Sequence, residues 1–174
     1  MGTEARTANL LGALALVVHD RFSEAMAGEL GEGESAAAAL SSLDHLLDRP
    51  TIDLLRRVLG LTSSGTVRLV DRLEDEGYVE RSAGEDRRAT AVHLTRAGRR
   101  AARRAGAARR EVLERALSPL STAERADLDA LLSKLLVGMM RGPGAERFMC
   151  RLCDTRACGH AEGHCPVRAA VRAG

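Results

Sequence analysis

The strongest constraint on the fold is the stretch Pro50–Gly98, in which the spacing of apolar residues changes from helical repeats to the alternation typical of strands. Two short segments repeat apolar residues at helical spacing, and Gly60 followed by hydroxyl residues separates them. Gly77 then ends the second segment. Beyond it, β-branched and apolar residues alternate in two short runs around an Arg-rich turn, Tyr78–Arg81 and Thr90–Leu94. The stretch therefore predicts two helices joined by a tight turn and followed by a hairpin.

This order of elements is typical of a winged helix-turn-helix, whose second helix enters the major groove of DNA. The segment Leu54–Arg100, LLRRVLGLTSSGTVRLVDRLEDEGYVERSAGEDRRATAVHLTRAGRR, closely resembles the core of MarR-type transcriptional regulators. The most specific matching pieces are Leu69-Val70-Asp71-Arg72-Leu73-Glu74, Gly77-Tyr78-Val79-Glu80-Arg81, Asp86-Arg87-Arg88 and Leu94-Thr95-Arg96-Ala97-Gly98. The resemblance implies a mainly α fold with a small β wing, assembled as an intertwined homodimer.

Candidate DNA contacts follow from the outer face of the second helix. Side chains near the N-terminus of such a helix meet base edges and phosphates. We expect Arg68 to contact a base or a phosphate, and Val67 to touch a thymine methyl group without hydrogen bonding. The full set on this face is Ser63, Ser64, Val67, Arg68 and Arg72. The resemblance further implies that a wing arginine, Arg87 or Arg88, enters the minor groove and that Asp86 holds it.

The flanking segments divide the chain into four expected regions. Residues 1–50 supply N-terminal helices for dimerisation and support, and 51–98 form the DNA-binding unit. Residues 99–142 supply C-terminal dimerisation helices, and 143–174 form a cysteine-rich tail. Apolar stripes at Leu10–Val18 and Leu128–Met139 are candidate dimer faces. A two-fold dimer predicts a pseudo-palindromic operator in double-stranded DNA.

Composition excludes several other classes of protein. The net charge of +2 indicates no particular partner, and the longest apolar run, Leu10–Val18, is too short to span a membrane. We find no signal peptide and expect a cytoplasmic protein with reduced thiols. No Ser/His/Asp order, phosphate-binding glycine loop or supported carboxylate pair is present, so we do not expect an enzyme.

All four cysteines lie in the last 25 residues, spaced C-x2-C-x4-C-x6-C. Clustered thiols in a reducing compartment favour metal or redox chemistry over structural disulfides. Four interpretations remain open: unligated cysteines, a regulatory disulfide, a structural zinc site and an iron–sulfur cluster. In either metal site the expected ligands are Cys150, Cys153, Cys158 and Cys165.

The tail resembles the C-terminal cluster segment of SoxR-type regulators, which have a different DNA-binding fold. The resemblance lies in the opening C-x2-C and in the ending Cys165-Pro166-Val167-Arg168, whereas the middle spacing differs. It implies an iron–sulfur cluster, 2Fe–2S or 4Fe–4S, and His160 or His164 could replace one thiolate. Zinc is the alternative cofactor. Because the tail follows a dimerisation helix, we expect the state of a cluster to alter DNA affinity.

Two other functions compete with a cluster-switched repressor. An electron carrier would use the cluster and keep the winged unit only as a scaffold. Alternatively, a small organic ligand could trigger the regulator from a cleft lined by His19, Arg21 and His45. The intact candidate DNA contacts favour a regulator over an electron carrier.

Overall fold

The computed structural model describes residues 2–30, 33–84, 89–142 and 144–173. Helices dominate, and the two strands form one antiparallel sheet. The elements in chain order are α1 Thr3–Leu30, α2 Glu34–His45, α3 Ile52–Leu59, α4 Ser63–Asp75, β1 Val79–Ala83, β2 Thr90–Leu94, α5 Arg96–Leu117, α6 Thr122–Gly138, α7 Ala145–Cys150 and α8 Pro166–Ala173. The predicted helix–turn–helix–hairpin order is confirmed, whereas the sequence did not predict α7 and α8.

Hydroxyl side chains set the starts of the helices in the DNA-binding unit. Thr51 accepts a hydrogen bond from the Leu54 N–H at 3.2 Å, and Thr62 accepts one from Gly65 at 3.1 Å. Thr95 caps α5 in the same way, at 3.0 Å from the Gly98 nitrogen. Each cap satisfies a backbone donor that has no partner within its helix. Because this signal is local, the sequence predicted these helix starts well.

Small residues bring the central helices close together. The alanines of α2 at positions 36–39 are buried, and so are three alanines on α5, Ala101, Ala102 and Ala105. Helix α5 packs against both α1 and α2. The inner stripe predicted for α4, Thr66, Leu69, Val70 and Leu73, is buried in full. The core therefore fixes α4 against a rigid base of helices.

The wing consists of β1 and β2 paired from Val79↔Leu94 to Ala83↔Thr90. Its predicted tip, with Asp86, Arg87 and Arg88, lies outside the described residues. An isolated bridge between Thr51 and Ala91 also joins β2 to the start of α3. This bridge ties the wing to the first helix of the helix-turn-helix.

Two helices carry apolar faces that their own chain leaves uncovered. On α1, five apolar residues are 47–66% exposed: Leu10, Leu11, Leu14, Leu16 and Val17. Helix α6 buries no residue among those described, and its Leu131, Leu132, Leu135 and Leu136 are all exposed. Among the described helices, none combines the length and the apolar character needed to cross a membrane.

Candidate nucleic-acid interface and cysteine site

The candidate reading face lies on the outer side of α4. Ser63, Ser64, Val67, Arg68 and Arg72 are all exposed. The opposite side of the helix is buried, so these five side chains project away from the core together. The face also begins at the helix N-terminus, where free N–H groups and the helix dipole favour phosphate. The structure thus brings the predicted residues of α4 onto one accessible surface.

Arg81 on β1 fixes the orientation of the wing relative to α4. Its guanidinium is 2.5 Å from Asp71 and also pairs with Glu74, both on α4. Glu74 additionally accepts a hydrogen bond from the Arg81 backbone N–H at 3.3 Å. Burial works to lower the pKa of Arg81, but the two carboxylates raise it overall. This clamp was not predicted from the sequence, because its partners are joined only by the tertiary fold.

The four cysteines converge beside α2. Cys150 and Cys165 are buried in a small apolar cluster that Cys153, Cys158 and Leu46 contact. The Sγ of Cys153 donates a hydrogen bond to the Met149 carbonyl at 3.9 Å, and the Sγ of Cys158 donates one to the Thr155 carbonyl at 3.6 Å. The sequence predicted that these residues form one site, and the structure brings all four together.

Mutual interaction of the thiols shifts their pKa values strongly. The interaction with Cys153 and burial raise the pKa of Cys150, whereas the partner Cys150 thiol and the cations Arg109 and Arg151 lower the pKa of Cys153 to about 6. Burial and the proximity of Cys165 raise the pKa of Cys158 to about 11. The site therefore stabilises one thiolate and opposes further negative charge. A bound metal cation would remove that opposition.

His160 lies beside Cys158 and Cys165. Ligand atoms of Cys158, His160 and Cys165 are within 4.8 Å of one another. The buried Nδ1 of His160 has no hydrogen-bond partner, while Nε2 contacts Arg168. Burial, Arg168 and Arg172 lower the pKa of His160, which favours the neutral ring that binds metals. His164 is exposed, so only His160 is placed to join the cysteines.

A tight loop brings Cys158 and Cys165 together. Gly159 adopts a left-handed conformation with φ of 61°, and its carbonyl accepts a hydrogen bond from the His164 N–H at 2.9 Å. A Cβ at Gly159 would lie 2.9 Å from the Cβ of His164, which is too close for any other residue without a shift. Glycine thus permits the turn that closes this half of the site.

The cysteine segment also docks on the DNA-binding unit, which sequence reasoning missed. The ring of Phe148 on α7 lies against Gly60, the left-handed residue that ends α3. Ser42 on α2 donates a hydrogen bond to the Arg151 carbonyl at 3.2 Å. The Arg151 guanidinium stacks 4.0 Å from the Phe148 ring centroid and pairs with Glu34 at 3.8 Å. These contacts join residues far apart in sequence, and no local pattern announces them.

The residues considered for an organic ligand are engaged in separate ion pairs. His19 pairs with Glu34 at 3.6 Å, Arg21 with Glu24 at 3.7 Å, and His45 with Asp44 at 3.4 Å. His19 and Arg21 are exposed, and His45 is partly buried. None of these three side chains lines the cavity between α3 and α7 or the hollow beside Arg68 and Arg72.

The fold and the α4 face define a winged helix-turn-helix of the DNA-binding class, with a cysteine-rich appendage. A sequence model of the MarR family matches residues 35–89. A probable transcriptional regulator from Pseudomonas aeruginosa is 30% identical, with a TM-score of 0.56, and the match covers 72% of this chain and 96% of that one. MarR from E. coli in its apo form is 25% identical with a TM-score of 0.60, over 72% of this chain and 96% of that one.

A third solved structure, a MarR family protein from Mycobacterium tuberculosis in complex with p-aminosalicylic acid, is 27% identical. Its TM-score is 0.59, and the match covers 74% of this chain and 96% of that one. No curated protein matches the chain. The chain has the fold of MarR family structures, and proteins of that family are transcriptional regulators, not enzymes, that bind DNA as dimers.

Proposed function

We propose that this protein is a dimeric repressor that reads a pseudo-palindromic operator and responds to an iron–sulfur cluster on its tail. The exposed α4 face supports the DNA-reading part, because Ser63, Ser64, Val67 and Arg68 project together from the side opposite the buried stripe of the helix. In this proposal Arg68 and Arg72 contact bases or phosphates, and Ser63, Ser64 and Val67 line the groove. Arg87 or Arg88 of the wing enters the minor groove with support from Asp86.

Dimerisation is supported by the uncovered faces of α1 and α6. Large apolar side chains on both helices remain 41–66% exposed in the single chain, including Leu14, Leu16, Leu132 and Leu136. Contiguous exposed apolar surface of this kind marks an interaction site. We infer that the two helices intertwine with those of a second copy. A two-fold dimer that presents its two α4 helices about one DNA turn apart would read a pseudo-palindromic operator.

The convergence of the cysteines is the observation that carries the cluster proposal. An iron–sulfur cluster takes four cysteine thiolates, and the four cysteines lie in one small cluster at the tail. Cys150, Cys153, Cys158 and Cys165 would hold it, and the unpartnered Nδ1 of His160 is a candidate to replace one of them. When bound, the cluster supplies a centre that changes charge on oxidation. Arg109 and Arg151 then offset the negative charge of the thiolates.

The docking of α7 gives the site a route to the DNA-binding unit. Phe148 is two residues before Cys150 on the same short helix, and its ring contacts Gly60 at the turn before α4. Helix α8, which follows Cys165, packs against α6. A change in the ligation of the cysteines therefore reaches both the start of the recognition helix and the dimerisation helix. This supports a switch rather than a passive structural site.

A structural zinc site with a small organic ligand as the signal is the alternative. Zinc also accepts cysteine and histidine ligands, and the group of Cys158, His160 and Cys165 fits that chemistry. The complex of the mycobacterial relative with p-aminosalicylic acid favours an organic signal for that protein. A regulatory disulfide is favoured by one observation, the lowered pKa of Cys153, since thiolates react faster than thiols.

The deciding experiment is anaerobic purification followed by spectroscopy, metal analysis and operator binding. We expect brown protein with visible charge-transfer absorption and near-equal amounts of iron and acid-labile sulfide. Replacing any one of the four cysteines by serine should bleach the colour, and operator affinity should differ between cluster-bearing and cluster-free dimers. Colourless protein with about one zinc per chain would indicate the structural site. Coloured protein whose two forms bind the operator equally would keep the cluster but exclude its role as a switch.

A further inference from the structure

A half-open cavity of about 630 Å³ lies between α3 and the tail. One wall comes from α3 and the turn that follows it, and the other comes from α7 and the residues just before it. The base is apolar, with Leu54, Val58 and Phe148. Four arginines surround this base, two from each wall: Arg56, Arg57, Arg141 and Arg147. We call these the tail-groove arginines.

Positive charge dominates this groove. Asp53 pairs with both Arg56 at 3.0 Å and Arg57 at 2.9 Å, so one carboxylate serves two guanidinium groups. Glu146 is 3.9 Å from Arg147, at the edge of ion-pair distance. Arg141 and Arg57 are exposed. Four cations therefore face two carboxylates, and the excess charge fits an anionic partner.

The groove adjoins the candidate reading face. Leu61, at the turn between α3 and α4, lines the groove on one side. The same residue also lines a second hollow that is bordered by Arg68 and Arg72 on α4. The tail-groove arginines and the reading residues therefore lie on either side of a single turn. A duplex that meets Arg68 would therefore also pass close to this turn.

We propose that Arg57, Arg141 and Arg147 bind backbone phosphates of the operator, so that the tail is part of the DNA interface. The proposal rests on the DNA-binding function proposed above and adds a partner for the tail. Arginine suits this role because its planar guanidinium binds phosphate through two hydrogen bonds. Phosphate contacts of this kind position the protein without reading sequence. Arg147 is three residues before Cys150 on the same helix, so this phosphate contact adjoins the cysteine site.

The test is the salt dependence of duplex binding by an Arg141→Ala/Arg147→Ala variant. Each phosphate contact contributes about 0.9 to the slope of log affinity against log salt concentration. We therefore expect the slope to become shallower by roughly 1.8. Affinity for operator and for unrelated duplex should fall by the same factor, because the lost contacts carry no sequence information. Circular dichroism melting should show that the variant remains folded.

An Arg115→Ala/Arg125→Ala variant is the matched control. It removes the same charge from exposed positions on α5 and α6, near the turn that joins these helices, and its slope should equal that of the native protein. The tail contact would be overturned if the salt slope of Arg141→Ala/Arg147→Ala equals that of the native protein while Arg68→Ala still weakens operator binding. That result would leave the proposed DNA-binding function unaffected. If the native protein does not bind duplex DNA at all, both the proposed function and the tail contact are wrong. Calorimetry with inorganic phosphate tests a free anion as the occupant. If the native protein binds phosphate, the Arg141→Ala/Arg147→Ala variant does not, and the salt slope of duplex binding is unchanged, the groove binds a free anion and the proposal is refuted.

Discussion

Individual side chains divide into those that build the reading unit and those that project from it. Arg81 belongs to the first kind, since it joins β1 to two carboxylates of α4. Arg68 belongs to the second kind, because it lies on the exposed face of α4, two turns from the Thr62 cap. Replacing Arg81 would disturb the orientation of the wing relative to α4. Replacing Arg68 would remove only its proposed contact with DNA. The first prediction uses this difference.

Arg68→Ala should weaken specific operator binding by about 1–3 kcal/mol if the side chain contacts a base, and relax specificity at that base pair. Fluorescence anisotropy with operator variants measures both effects. Arg103→Ala, an exposed change on α5, is the control with equal charge loss. Native affinity in Arg68→Ala and in Arg87→Ala/Arg88→Ala would show that the reading surface lies elsewhere.

At the scale of elements, α7 is the link between the cysteine site and the helix-turn-helix. It is only six residues long, from Ala145 to Cys150, and its stability comes from docking on α3 rather than from its own length. Phe148 provides this docking, and Gly60 accepts it because a side chain there would collide with the ring. The contact of Phe148 with Gly60 thus connects α7 to α3, and its loss need not disturb the cysteines.

We predict that Phe148→Ala retains the cluster but uncouples it from DNA. Allosteric coupling is typically about 5–150-fold, and the ratio of operator affinities between cluster-bearing and cluster-free protein should fall toward one. Iron and sulfide content should stay at the native level, since Cys150 packs with the other cysteines and Leu46 rather than with Phe148. Phe148→Leu preserves an apolar contact and should keep most of the coupling. A native ratio in Phe148→Ala would exclude this route.

At the scale of the whole molecule, the single chain is incomplete as a folded unit. Helix α6 buries nothing in the described residues, although its sequence is rich in leucine. Helix α1 likewise leaves its first half uncovered. A second copy of the chain would cover both surfaces, in keeping with the dimers that MarR family regulators form.

Leu132→Glu/Leu136→Glu should convert the dimer to monomer, because burying unpaired carboxylates in an apolar seam costs several kcal/mol. Sedimentation velocity measures the change, and operator binding should weaken along with it. Lys134→Glu changes charge on the opposite side of the same helix and should remain a dimer. A dimeric double variant would locate the interface outside α6.

The sequence by itself determined the elements of the DNA-binding unit and predicted which residues belong to the two candidate sites. Helical spacing, caps such as Thr62 and the glycines that end helices act over a few residues, so they are legible without the fold. The confinement of the four cysteines to one segment likewise predicted that they share one site. Only the tertiary structure decided where the cysteine segment docks, which histidine lies beside Cys158 and Cys165, and how Arg56 and Arg57 come to line one cavity with Arg141 and Arg147. These relations depend on the packing of α7 against α3, two helices that lie far apart in the sequence. Local periodicity does not encode a contact over such a separation.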